Sequence, residues 1–198
     1  MIESMGESGT VTTALNVNIH IRRPMIGEGA KLRALRLQAL RDAGEAFLET
    51  YEQAAALDDS AWEARIRRGS RPGRQILVVA DDGGQWVAMA GAFIDLEHDD
   101  PATALPDPPV RPADRWAMLW AMYCLPHYRG RGITDQICTA IGEWAANEAG
   151  VGWLGLDVRD TNTRAIALYQ RQGYTVCDRR THPALGVSSL VMVRSVTG

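Results

Sequence analysis

The sequence predicts a single α/β domain over residues 15–196, built on a mixed sheet with helices on its faces. Two observations carry this. Strand-like alternation and helix-like periodicity take turns along the chain, and 198 residues with 46% apolar content suffice for one well-packed core. The order read is strand, two helices, hairpin, strand, helix, strand, helix and two strands, with no internal repeat.

Residues 1–14 are polar and lack a basic segment followed by an apolar run, so they are expected to form a disordered tail, neither signal peptide nor anchor. Leu15, Val17, Ile19 and Ile21 alternate with Asn16, Asn18 and His20, the pattern of a half-buried strand. Over residues 28–43, Leu32, Leu35, Ala39, Leu40 and Ala43 recur at helical spacing. Arg33, Arg36, Arg41 and Asp42 fall mostly on the opposite face, and Gly44 ends the helix. Ser60-Ala61-Trp62-Glu63 has the Ser-x-x-Glu spacing of a capping box and predicts a short helix that closes at Gly69. Residues 75–80 and 86–96 are apolar runs joined by Asp81-Asp82-Gly83-Gly84, a hairpin. Residues 97–114 hold five prolines and almost no periodicity, so a long, exposed loop is expected there. The apolar run 116–125 reads as a buried strand stopped by Pro126. A helix follows with Ile133, Ile137, Ile141, Trp144 and Ala145 on one face. Strand 153–158, helix 162–172 stopped by Gly173, and strands 174–177 and 188–193 complete the domain.

Charge and composition exclude several classes. Twenty-one basic residues against 24 acidic ones argue against a protein that holds nucleic acid by bulk charge, and no segment is long enough to span a bilayer. Cys124, Cys138 and Cys177 are widely spaced in apolar surroundings and read as reduced core residues, which implies a cytoplasmic location. His20, His98, His127 and His182 show no metal-ligand spacing, so no metal is expected. Neither Gly-x-Ser-x-Gly nor Gly-x-x-x-x-Gly-Lys-Ser/Thr is present, which removes the nucleophile elbow and the P-loop.

The most informative stretch is Leu125-Pro126-His127-Tyr128-Arg129-Gly130-Arg131-Gly132-Ile133-Thr134, between a buried strand and an amphipathic helix. A first helical turn leaves N–H groups without intrahelical partners, glycines allow close approach to phosphate oxygens, and Arg129 and Arg131 add charged donors. The spacing alone is equally that of a simple strand-to-helix turn with two solvated arginines.

Together with Asn162-Thr163-Arg164-Ala165-Ile166-Ala167-Leu168-Tyr169-Gln170-Arg171-Gln172-Gly173-Tyr174, this stretch resembles the GNAT acetyltransferase superfamily. Arg129-x-x-Gly132-x-Thr134 follows that family's Gln/Arg-x-x-Gly-x-Gly/Ala signature except at its last position. The second segment follows its Asn-x-x-Ala-x-x-Leu-Tyr-x-x-x-Gly-Phe/Tyr pattern. The resemblance implies a mixed, mostly antiparallel sheet with helices on both faces, and acetyl-CoA as donor. Arg129, Gly130, Arg131, Gly132, Thr134 and Asp135 would lie around the CoA pyrophosphate, backbone groups of Tyr123 and Cys124 along the pantetheine, and Asn162 and Tyr169 also beside the cofactor. Two departures stand out: Thr134 is branched where the family has glycine or alanine, and Asp135 sets an anion beside the expected pyrophosphate.

The resemblance further implies that Tyr169 protonates the departing thiolate. Asp157, in Leu156-Asp157-Val158-Arg159, resembles the glutamate base of ribosomal-protein N-terminal acetyltransferases one methylene shorter, with Asp95 and Glu97 as rival bases. The acceptor is an unidentified amine of a small molecule or protein, toward which Glu45, Glu49 and Glu52 are candidate attractors of positive charge, and a homodimer is left open. The alternative function is a non-catalytic acyl-CoA-binding sensor or interaction module of the same fold. An RNA-binding reading of the arginine–glycine loop has only Tyr128 for stacking and the wrong net charge.

Overall fold

The computed structural model describes residues 19–94, 116–182 and 186–196. The expected tail 1–14, Leu15 and Val17 of the first strand, the loop 97–114, and Asp95 and Glu97 lie outside the described residues. In chain order the elements are β1 (Ile19–Arg22), α1 (Gly29–Ala43), α2 (Tyr51–Ala55), α3 (Asp59–Arg68), β2 (Gln75–Asp82), β3 (Gln85–Ile94), β4 (Trp116–Cys124), α4 (Ile133–Asn147), β5 (Trp153–Arg159), α5 (Thr163–Arg171), β6 (Thr175–His182) and β7 (Val187–Ser195). The strands form one seven-stranded sheet in the order β1-β2-β3-β4-β5-β7-β6. Neighbours pair antiparallel except β4 and β5, which run parallel, so the expected mixed sheet is observed.

Successive residues of β2 and β3 are buried, which requires both faces of the sheet to be covered. Helices α1 and α4 both pack on β3 and supply that cover. The expected apolar face of α4 is the observed one: Ile133, Ile137, Ile141, Trp144 and Ala145 are all buried. A fully buried large apolar side chain is worth about 1.5–3 kcal/mol. Packing therefore holds this helix, because its N-cap Gly132 makes no side-chain bond.

Three local expectations are corrected. The cap of α3 is Asp58, whose Oδ1 accepts from the Ala61 N–H at 2.8 Å, and not Ser60. Glu63, read as the far member of a capping box, instead accepts from the N–H of Gly27 and Gly29 and ties α3 to the entry of α1. The reciprocal box belongs to Thr50 and Gln53 at α2, a helix of 5 residues that was not anticipated. Arg36, expected on the exposed face of α1, is buried because Glu49 accepts from its Nε at 2.9 Å and Phe47 stacks beneath its guanidinium at 4.4 Å. Glu49 also accepts from Arg65 at 2.5 Å, so it is occupied by two arginines and is no free attractor of a cationic acceptor.

Gly69 ends α3 as expected, with a right-handed backbone whose N–H donates to the Arg65 carbonyl at 2.9 Å. Its requirement is space: a Cβ there would lie 2.7 Å from the Leu77 Cβ.

Candidate active site

Strands β4 and β5 are joined only at their beginnings, where Trp116, Ala117 and Met118 face Trp153, Leu154 and Gly155. Beyond that point β5 pairs with β7 alone, and a cleft opens between the C-terminal halves of the two parallel strands. Such a divergence in an α/β sheet is where ligands bind. Asp157 marks its β5 wall. The residue as a whole is exposed although only 25% of its side-chain surface is, so the exposure falls on backbone that a continuous sheet would cover.

The β4 wall is shaped by a bulge. Two steps along β3, from Met89 to Gly91, match three along β4, from Tyr123 to Trp120, and Ala121 takes φ 56°. A non-glycine residue there is strained, and bulges of this kind re-aim a strand beside functional sites. Ala121 and Met122 have no registered partner on either neighbouring strand.

At the end of β4 a 3-10 turn, Pro126–Tyr128, leads into the loop. Arg129 folds back so that its Nε donates to the Cys124 carbonyl at 2.9 Å, and the Tyr128 hydroxyl donates to Asp82 at 2.6 Å. The loop is thereby fixed to the strand end and to the hairpin. Gly130 and Gly132 then take φ 76° and 73°, the left-handed region open to glycine. No described hydrogen bond is donated by the backbone N–H groups of residues 130–135. These donors, at the positive end of a 15-residue helix and flanked by Arg129 and Arg131, form an anion cradle. A Cβ built at Gly130 or Gly132 meets no atom within 4 Å, so the cradle is open.

Of the two departures noted in the sequence, Asp135 has a partner outside the cradle: its Oδ1 accepts from the Gln172 side chain at 2.7 Å. Thr134 is half-buried in the first turn, with no described hydrogen bond on its hydroxyl. Asn162 uses its Oδ1 to cap α5, accepting from the Ala165 N–H at 3.2 Å.

Tyr169 lies on the inner face of α5, 6% exposed, with its ring edge-on to Tyr174 at 5.7 Å. Burial, helped by the neighbouring Cys138 and Tyr174, raises its phenol well above the usual range, so it stays protonated at physiological pH. Arg194 braces this corner by donating to the Cys138 carbonyl of α4 at 3.2 Å and to Gln172 O at 3.3 Å, just beyond α5. The Tyr169 hydroxyl makes no described hydrogen bond. Asp157 faces Arg180 at 3.7 Å.

Helical periodicity places Asp42 only on the face of α1 opposite its apolar stripe. The Tyr123 phenol donates a short hydrogen bond to Asp42, at the end of α1, whose other oxygen accepts from Gln38 at 2.9 Å. Burial and the adjacent Asp42 both raise the Tyr123 phenol above the usual range. Among the described residues no group of three or more His, Cys, Asp or Glu comes together to hold a metal ion, and no described helix is long and apolar enough to cross a membrane.

Residues 37–174 match the model of the Acetyltransferase (GNAT) family. Solved structures share the fold at low identity. An acetyltransferase of the GNAT family from Streptococcus pneumoniae superposes with TM-score 0.71 at 16% identity, over 89% of this chain and 98% of its own. The putative acetyltransferase yncA from Salmonella typhimurium, solved with its cofactor acetyl-CoA, gives 0.69 at 14% identity, over 91% and 95%. Arabidopsis thaliana NAA60 in complex with acetyl-CoA gives 0.62 at 15% identity, over 91% and 99%. No curated protein sequence matches the chain.

Proposed function

Because the chain belongs to the GNAT acetyltransferase family, we propose that it moves the acetyl group of acetyl-CoA directly to an amine of a small molecule or protein. The observation that carries this is the open cradle of unpartnered N–H groups at residues 130–135, set at the mouth of the β4–β5 cleft. The donor set fits a pyrophosphate, which needs several converging N–H groups and adjacent positive charge. Arg129, Gly130, Arg131, Gly132 and Thr134 would hold it, and the backbone of Ala121 and Met122, which has no registered partner, would receive the pantetheine beside Tyr123 and Cys124, themselves paired with Met89 and Ala88 of β3.

Within that frame each residue has a defined task. The amine attacks the thioester carbonyl, while unpaired β4 backbone N–H groups polarise the carbonyl oxygen. Asp157, held in place by Arg180, accepts the proton that the ammonium must lose. Tyr169, kept protonated by burial, donates its proton to the departing sulfur. An ordinary thiol titrates near 8.5, below this phenol. Burial disfavours a thiolate and a phenolate alike, so Tyr169 acts by hydrogen-bonding the developing thiolate, and the proton that the ammonium gives up restores the phenol as the thiol forms. Asp42, supported by Tyr123 and Gln38, offers a negative charge for the incoming ammonium.

The pairing of Asp157 with Arg180 favours one second reading, a protein that binds acyl-CoA without turning it over. Single-turnover mixing with radiolabelled acetyl-CoA separates the two. Direct transfer places label on the amine and none on the protein, whereas a sensor leaves all of it on CoA.

A further inference from the structure

Positive charge collects away from the cleft, at the end of α3. Leu57, Ala61 and Ala64 form the apolar floor of a cavity of about 480 Å³ whose rim carries Arg67, Arg68 and Arg71, and no carboxylate lines it. Arg65, also at the rim, is held by Glu49 and lies 4.6 Å over the Trp62 ring. The other three arginines form no described ion pair or side-chain hydrogen bond; Arg67 has only a Coulombic attraction to Glu63. Basic residues suit the negative end of a helix, which accounts for charge in the last turn of α3. It does not account for Arg71 beyond the helix, nor for an apolar floor between the charges in a chain of net charge −3.

The cavity is separate from the acetyl-CoA cradle. The turn after α3 passes the C-terminal end of α4, where a Cβ on Gly73 would lie 3.2 Å from Glu148 O. The cradle is at the other end of that 15-residue helix, about 22 Å away at 1.5 Å per residue.

The lining selects its occupant. A bare phosphate or a nucleic-acid backbone would leave the apolar floor unused, and the nearby Trp62 is only 1% exposed, so it offers no ring for base stacking. Ala61 and Ala64 stand one turn apart and are small, which lets another helix approach closely. Guanidinium forks bind carboxylates bidentately. We propose that this cavity docks an acidic amphipathic helix of a partner protein, with an apolar side chain on Leu57, Ala61 and Ala64 and its carboxylates on Arg67, Arg68 and Arg71.

The test is fluorescence anisotropy of the full chain with a labelled helical peptide of glutamates flanking a leucine stripe, beside a scrambled peptide of the same composition. Saturable binding of the striped peptide is expected. The double variant Arg67→Glu, Arg68→Glu should weaken it by about tenfold or more, with acetyl-CoA affinity unchanged as the check on folding. Ala64→Glu, which puts a carboxylate on the floor, should weaken it comparably. No anisotropy change with the wild type overturns the proposal. So do equal binding of the scrambled peptide, displacement of the striped peptide by poly(U) at equal charge, and full affinity in the charge-reversed variant.

Discussion

Gly132→Val is expected to remove acetyl-CoA binding from a protein that still folds. The position sits at φ 73° with no atom within 4 Å of a built Cβ, so the fold meets only the backbone cost of a left-handed residue. That cost is about 1–2 kcal/mol, more for a branched side chain, against typical domain stabilities of about 5–15 kcal/mol. The ligand loses more. Displacing a pyrophosphate from two charge-assisted N–H bonds at about 1.5–3 kcal/mol each removes about 3–6 kcal/mol, or about 10²–10⁴ in affinity. Gly150→Val provides the control, because Gly150 has φ 60° and equally open surroundings but follows the far end of α4. Calorimetric titration with acetyl-CoA beside thermal melts of the three proteins reads both quantities. The two variants should melt alike while only Gly132→Val loses binding. A folded Gly132→Val protein within about threefold of wild-type affinity would refute the cradle assignment.

Tyr169→Phe should lower kcat by about 10²–10⁴ while acetyl-CoA affinity stays within a few-fold, since the ring packing against Tyr174 is kept; wild-type kcat would remove Tyr169 from the mechanism. Asp157→Asn should slow turnover near neutral pH and recover in part at high pH, where free amine accumulates, whereas Asp42→Asn should raise the acceptor KM with kcat little changed. A pH-independent Asp157→Asn defect argues against a base at that position. Glu28, whose carboxyl is drawn down to about 2 by hydrogen bonds from Arg22, outweighing a desolvation cost, should support stability fully above the ordinary carboxylate value of 4.5. Because the folded value is the lower one, that support fades as pH falls from 4.5 toward 2. Glu28→Gln should therefore lower Tm at pH 7 and flatten the acid limb of the Tm profile; an unchanged limb would show that the Arg22 pair contributes nothing.

Periodicity made the fold legible where an element's own residues decide it. The buried stripe of α4 and the succession of helices and strands along the chain follow from apolar spacing, and the arginine–glycine loop sits where a strand must become a helix. The Thr50–Gln53 box was also legible, since Thr-x-x-Gln is printed in the sequence, but the more familiar Ser60–Glu63 spacing competed with it. Other features depend on partners far along the chain. Asp42 and Tyr123 are 81 residues apart, and nothing in either neighbourhood announces their bond. Arg36 is buried only because Glu49 and Phe47 fold over it, which no helical pattern on α1 encodes. The bulge at Ala121 is the hardest case, because an alanine at φ 56° has no sequence signature and is held there by the register between β3 and β4.

Amine-dependent release of CoA thiol tests the central claim most directly, with wild-type protein, acetyl-CoA and a panel of small primary amines, polyamines, free amino acids and peptides presenting a lysine or a free N-terminus. At least one acceptor should drive thiol release well above the no-amine rate, with the matching N-acetylated product identified by mass spectrometry and the rate lost in Gly132→Val. A protein that binds acetyl-CoA tightly yet releases thiol at the background rate with every amine would contradict acetyl transfer and leave the β4–β5 cleft as a binding site alone.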